Sequence, residues 1–266
     1  MCSVPSATEN FVQRKGSKRT MGRISLELVP RDVASFSGEL SVVKKRFPLI
    51  DTLNIPDILK FDMRIPEACR VASGYFSDII PHIRAVSISK SEASCLVDIF
   101  DGLGIKEVLV ILGDNPEIIS RSSDPCDSIA LIRKIKKETK AVKVYAGLDQ
   151  WRTSFDEELE YVKRKIDSGA DGFFTQPFFD VHHLEQWHNV LGKIDVFWGV
   201  APVVRESSRH YWEKKNNVSF PESFQCTMAW NHDFAREVLE LSSGKNFHVY
   251  FCPITVDFVE YLQGIF

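Results

Sequence analysis

A carboxylate at position 27, set inside the apolar run ISLELVPRD (residues 24–32), is the first side chain whose placement invites chemistry. In a strand the side chains alternate, so Ile24, Leu26 and Leu28 share one face while Ser25, Glu27 and Val29 share the other. A carboxyl group in apolar surroundings has its pKa raised, and it is either paired or kept as a proton donor. A salt-bridged Glu at a strand end is the plainer alternative. Other polar or small residues fall at comparable points where apolar runs end: Asn54, His82, Gly113 with Asp114 in LGDNP, Tyr145, Gln176 and Tyr250. Gln176 lies among four Phe residues in FFTQPFFD and must find hydrogen-bond partners if buried. The others have structural readings too. Asp114 suits a turn, His82 a satisfied core histidine, and Tyr145 and Tyr250 core aromatics with their hydroxyls tied off.

The elements that must position these residues follow from the apolar runs. Strands are predicted near 24–30, 52–56, 80–86, 107–112, 142–148, 172–178, 196–203 and 247–253, most of them separated by helical segments. The clearest helix is 154–169, with a Ser154/Glu157 capping box, a stripe of Phe155, Leu159, Val162 and Ile166 facing the sheet, and Gly169 as a stop. Eight alternating units in about 240 residues match a (β/α)8 TIM barrel, whose active face lies at the C-terminal ends of the strands. On that face the residues named above form a polar ring. The rival doubly wound sheet would need a Gly-rich phosphate turn, and GLGIKE at 102–107 precedes a strand instead of opening a helix. The long connection from 204 to about 229 leaves strand seven on the active side and is a candidate substrate lid.

Composition narrows the partners. The 266 residues are 44% hydrophobic and 26% charged, with a formal net charge of −3, which favours small molecules over nucleic acid or an anionic membrane. Six scattered cysteines without a CxxC imply neither a zinc site nor a disulfide framework, and a reducing, cytoplasmic setting is the default. No apolar run is long enough to span a bilayer, so a soluble protein is expected. Residues 1–23 read as a flexible basic tail, with an organelle transit peptide as the alternative, and residues 24–266 as one catalytic domain.

Several chemistries find no support. His182, His183 and His188 in VHHLEQWH lack HExxH and do not share a helical face, so no metal is expected there. No GxSxG elbow or usefully spaced Cys/His pair is present. By spacing alone, Glu158 and Lys165 with Tyr161 and Arg164 form the mixed-charge flank of a solvated helix.

Taken in order, SLELVPRD, VILGDNP, YVKRKIDSGADGFFTQPFFD, GVAPV and FHVYFCP resemble the catalytic barrel of methylenetetrahydrofolate reductases from about residue 24 to the C-terminus. Residues 158–180 are the most specific part. The resemblance implies a TIM-barrel flavoprotein in which NADH or NADPH reduces FAD and the flavin then reduces 5,10-methylenetetrahydrofolate to 5-methyltetrahydrofolate in the same pocket. It makes Glu27 the general acid that protonates the bridging nitrogen of the folate, and Asp114 a pterin-bonding residue that also lowers the flavin potential. It places Asn54, His82, Gly113, Asp114, Tyr145, Glu158, Arg164 and Lys165 at the FAD, the two basic residues neutralising its pyrophosphate. Gln176, Trp212 and Tyr250 join Glu27 and Asp114 at the folate.

Four positions depart from the family pattern: Leu112 and Ile254 stand where Arg is common, Asp149 where His is common, and Ser208 where Gln is common. The resemblance leaves open a homo-oligomer or an electron-donating partner subunit. It leaves no room for a regulatory domain, so inhibition by S-adenosylmethionine is not expected. A flavin-free barrel that binds folate and transfers its methyl group is the alternative reading.

Overall fold

The computed structural model describes residues 22–89, 92, 95–113, 126–242, 247–254 and 256–266. Eight parallel strands close in sequence order into one barrel. They are β1 (Ile24–Glu27), β2 (Thr52–Ile55), β3 (Asp78–Arg84), β4 (Glu107–Ile111), β5 (Lys143–Leu148), β6 (Gly172–Phe178), β7 (Asp195–Val200) and β8 (Phe247–Phe251). All eight expected strands are present, with ends that shift by a few residues. The helices described are α1 (Val33–Arg46), α2 (Ile65–Ala72), α3 (Cys95–Leu103), α4 (Ser128–Glu138), α5 (Phe155–Asp167), α6 (Val181–Leu191), α7 (Glu206–Asn216), α8 (Met228–Leu241) and α9 (Phe258–Gln263).

Strand alternation sorts the core into two shells. Outward residues such as Leu26, Leu53, Val108, Val144, Phe173, Trp198 and Val249 pack under the helices. Inward residues Ile80, Leu109, Tyr145, Phe174, Phe197 and Tyr250 fill the barrel. Helix α1 shows how the outer layer is fixed: Asp32 caps it through the Ser35 amide, Lys44, Lys45 and Arg46 occupy its last turn, and Phe36, Leu40 and Val43 are buried.

The N-terminal end of the barrel is closed by a charged floor. Arg23 bonds Glu107 at 2.7 Å and the Thr52 hydroxyl at 3.0 Å, its amide donates to His248 Nδ1 at 2.9 Å, and Lys143 pairs with Asp195. Arg23, assigned to the flexible tail by sequence reading, is therefore part of the barrel. Residues 1–21 lie outside the described residues. With the floor plugged, a ligand enters from the C-terminal end.

One expectation is corrected here. The capping box of α5 is present and Gly169 ends the helix at φ +104°, but only the middle of the expected stripe turns to the sheet, with Val162 buried and Leu159 half-buried. Phe155 and Ile166 are exposed, while Glu158, Val162 and Lys165 are buried. Of the flank read as solvated, Glu158 and Lys165 turn inward, Tyr161 is half-buried and Arg164 stays exposed. The 204–229 excursion forms α7, and its Trp212, Phe220 and Phe224 gather with Phe179 and Trp230 into an aromatic knot.

Candidate active site

The mouth of the barrel is built on neighbouring strands β8, β1, β2 and β3. The Glu27 side chain, 14% exposed, accepts a hydrogen bond from the Tyr250 hydroxyl and faces His82 Nε2 at 3.8 Å. Ser25 Oγ donates to Asn54 Oδ1 at 2.8 Å one layer below. Burial pushes the Glu27 carboxyl up to about 7, against the Tyr250 bond that lowers it, and pushes His82 down to about 3. His82 is thus a neutral ring near pH 7. Its Nε2 is buried without a hydrogen-bond partner among the described residues, because 3.8 Å to the carboxylate is too long. Cys252, above Tyr250 on the same strand face, has its thiol pushed well up by burial and by Glu27. The arrangement presents a proton donor poised near neutral pH beside an unsatisfied imidazole nitrogen.

A second cluster lies where β5 meets α5. Lys165, 4% exposed, donates to the Gly147 carbonyl at 2.5 Å, and burial pushes its ammonium down to about 8. Glu158, 1% exposed, is held by Arg152 and accepts the Asp149 amide at 3.2 Å. The Tyr161 ring collects three cations, Lys165 at 4.0 Å, Arg152 at 4.6 Å and Arg164 at 5.5 Å from its centroid. Its hydroxyl shares a 3.0 Å bond with Ser128. Cations outnumber carboxylates here, which is the charge balance of an anion site.

The remaining expected residues are placed as follows. Gln176 is half-buried at a register irregularity between β6 and β7, and its backbone carbonyl accepts from Gln150 Nε2 at 2.7 Å. Gly113 has φ +92°, and a Cβ there would lie 2.8 Å from Val86 and 3.2 Å from Arg84 Nε, so the turn after β4 requires glycine. Asp114 lies outside the described residues. Trp212 is buried against Phe179. Tyr145 is a correction: it is fully buried inside the barrel, edge-on to Phe174 and Phe197, and sits beneath the mouth instead of at its strand's end. Of the departures, Leu112 and Ile254 are exposed and Asp149 caps the Trp151 amide.

Two buried or clamping cations escaped the sequence reading. Arg84 follows His82 by two positions on the same strand face, so alternation alone could have placed it at the mouth, where Asp57 is among its electrostatic neighbours. Arg152 sits in a turn and carries no periodic signal. The histidine cluster is spent on packing: His183 meets Trp151 and Phe178, His188 meets Trp198, and His182 is exposed. Among the described residues no His, Cys, Asp and Glu converge on a metal position, and no helix is long and apolar enough to cross a membrane.

Comparison with known proteins bears on this site. The family model described as methylenetetrahydrofolate reductase matches residues 61–240, about two-thirds of the chain. The 5,10-methylenetetrahydrofolate reductase of Escherichia coli (strain K12) is 26% identical over 149 residues, 53% of this chain and 49% of that protein. The one from Buchnera aphidicola subsp. Baizongia pistaciae is 22% identical over 157 residues, 56% of this chain and 52% of that protein. The chain spans about half the length of the relatives it matches. Among solved structures, an uncharacterized protein from Clostridium thermocellum that binds two copies of 5-methyl-5,6,7,8-tetrahydrofolic acid superposes with a TM-score of 0.67. That match covers 98% of this chain and 96% of that one, and at 12% identity it shows a shared fold. A family match across β3 to α8, on a closed eight-stranded barrel, decides the kinship: the chain belongs to the methylenetetrahydrofolate reductase family.

Proposed function

We propose that this chain is an FAD-dependent oxidoreductase that reduces 5,10-methylenetetrahydrofolate to 5-methyltetrahydrofolate with NADH or NADPH as electron donor. The observation that carries the reading is Glu27, a carboxyl group raised to about 7 at the barrel mouth and held by Tyr250. The folate-binding solved relative and the reductase names of the sequence relatives support it.

The residues present suit FAD. An unsatisfied His82 Nε2 at the mouth offers a bond to an oxygen or nitrogen of a polar ring, and three cations around Tyr161 suit a pyrophosphate. Asn54, His82, Gly113 and Asp114 would hold the flavin end, and Glu158, Arg164 and Lys165 the ribose and phosphates. FAD bound there supplies a hydride relay between nicotinamide and folate.

The chain's own part is the proton. Glu27 gives its proton to the bridging nitrogen of the folate, whose five-membered ring then opens to a reducible iminium. Tyr250 bonds the carboxylate left behind and so stabilises it. Neutral His82 cannot compete as the acid. Gln176, Asp114 and Trp212 would orient the pterin.

The visible spectrum of the purified protein, followed anaerobically through NADH and then methylenetetrahydrofolate, tests the reading. A flavin spectrum that bleaches with NADH and returns with the folate is expected. A flavin that ignores both nicotinamides yet is reoxidised by the folate after chemical reduction would point to a partner protein as donor. No flavin after reconstitution with FAD would remove the reductase reading.

A further inference from the structure

Near the mouth, strand β6 carries one residue more than its neighbour β7. Phe174 stands opposite Phe197 and Pro177 opposite Gly199, so three steps along β6 answer two along β7. Strict alternation from the inward Phe174 would put Phe178 inside the barrel as well, yet Phe178 packs with the outer shell and Phe179 with the inner one. The extra residue falls at Thr175–Gln176. Such an insertion interrupts the ladder and re-aims the side chains beside it, so the direction of Gln176 depends on how the insertion is held.

The backbone groups it strands are answered by specific residues. The Gly199 amide donates to Thr175 Oγ1 at 2.9 Å. A Cβ on Gly199 would come within 2.9 Å of the Thr175 carbonyl oxygen and 3.0 Å of the Gln176 carbonyl, so the close approach requires glycine. Pro177 has no N–H to leave unpaired. The carbonyls of Gln176 and Pro177 are taken by the loop after β5: Gln150 Nε2 donates to them at 2.7 and 3.2 Å, and Trp151 Nε1 donates to that of Pro177 at 2.9 Å. Gln150 is 6% exposed, and its amide lies this way round because the reverse would set its oxygen against two carbonyls. The loop itself is pinned by Asp149, whose carboxylate accepts the Trp151 amide at 3.1 Å and whose amide bonds Glu158.

We infer that Gln150 is a positioning residue for Gln176: its buried amide holds the inserted backbone of β6 and thereby fixes where the Gln176 side chain meets the substrate, an inference that rests on the folate reading above. Gln150 acts through the main chain and does not itself touch the ligand.

The test is calorimetric titration of 5-methyltetrahydrofolate into the FAD-loaded wild type, Gln176→Ala, Gln150→Met and the double variant. Gln176→Ala is expected to weaken binding about 3- to 10-fold, the loss of one or two neutral hydrogen bonds. Gln150→Met keeps the volume without the donor, and is expected to weaken binding about 2- to 10-fold when Gln176 is present and less than about 1.5-fold when it is absent. Loss by the same factor in both backgrounds, or an unchanged affinity with Gln176 present, overturns the inference alone. Trp151→Phe keeps a ring against His183 and Phe178 and removes the second donor to Pro177. It should lose about twofold, again only while Gln176 is present, and it decides the matter if Gln150→Met does not fold. Gln176→Ala that binds as tightly as wild type overturns the folate contact of Gln176, and a wild type that binds no folate overturns the folate reading; each takes this inference with it.

Discussion

Replacement of Glu27 by Gln separates the proton donor from the rest of the site. With its carboxyl raised from 4.5 to about 7, Glu27 is about half protonated at pH 7, where an ordinary Glu would be about 0.3% protonated. Burial thus enlarges the acid form by a factor of about 150. Gln keeps the acceptor for the Tyr250 hydroxyl but cannot give a proton, so the folate half-reaction should fall about 10²- to 10⁴-fold. Reduction of the flavin by NADH or NADPH should stay within about threefold, because no general acid is needed there. In the wild-type protein the folate half-reaction should also decline as pH rises through about 7.

The same substitution has an opposite signature in stability. A carboxyl whose folded pKa is raised binds its proton more tightly in the folded state, so its contribution is fully present below pH 4.5 and is lost as pH rises through about 7. The difference corresponds to about 3 kcal/mol at most. Glu27→Gln removes that penalty and should raise Tm by about 2–10 °C at pH 8, with little change near pH 4.5. Stopped-flow half-reactions and melting curves at the two pH values read both effects. Equal loss in both half-reactions, or a Tm shift independent of pH, would refute the assignment of Glu27 as a buried acid.

Lys165→Met should weaken FAD binding about 10- to 100-fold by flavin fluorescence titration, because the buried cation of this cluster is lost. In the wild-type protein FAD affinity should decline above pH 8 as the ammonium, already pushed down to about 8, loses its proton. Gly113→Ala should cost about 1–3 kcal/mol in urea unfolding, from φ +92° and the contact a Cβ would make with Val86. Asn231→Ala should cost about 2–4 kcal/mol by the same measurement. It strands the amide and carbonyl of Val203, bonded by the Asn231 side chain at 2.9 and 3.1 Å, and releases the Thr227 carbonyl at 2.7 Å.

Much of the barrel was legible because a buried parallel strand is a short apolar run, and eight such runs with helices between them leave few other closed arrangements. Glu27 was legible for the same reason: alternation alone turns it away from Leu26 and Leu28. The α5 face was not. Its apolar residues suggested Phe155, Leu159, Val162 and Ile166 as the buried stripe, whereas the helix rotates so that Val162 is buried together with Glu158 and Lys165 while Phe155 and Ile166 stay exposed. Gly147 supplies a carbonyl to Lys165, and Arg152 clamps Glu158 from a turn that has no period. Tyr145 was misplaced because the register of β5 against β4 and β6, which sets its height in the barrel, is a property of the closed sheet.

By itself the sequence determined which residues alternate inward, where α5 begins and which carboxylate stands among apolar neighbours, since these depend on local periodicity and capping. Tertiary structure decided what each of those residues meets. Tyr250 is 223 positions from Glu27, and only closure of β8 on β1 brings its hydroxyl to the carboxylate. The desolvation that makes Glu27 an acid near neutral pH comes from the same closure, because a low-dielectric setting is made by all the surrounding chain and not by the residue's neighbours in sequence.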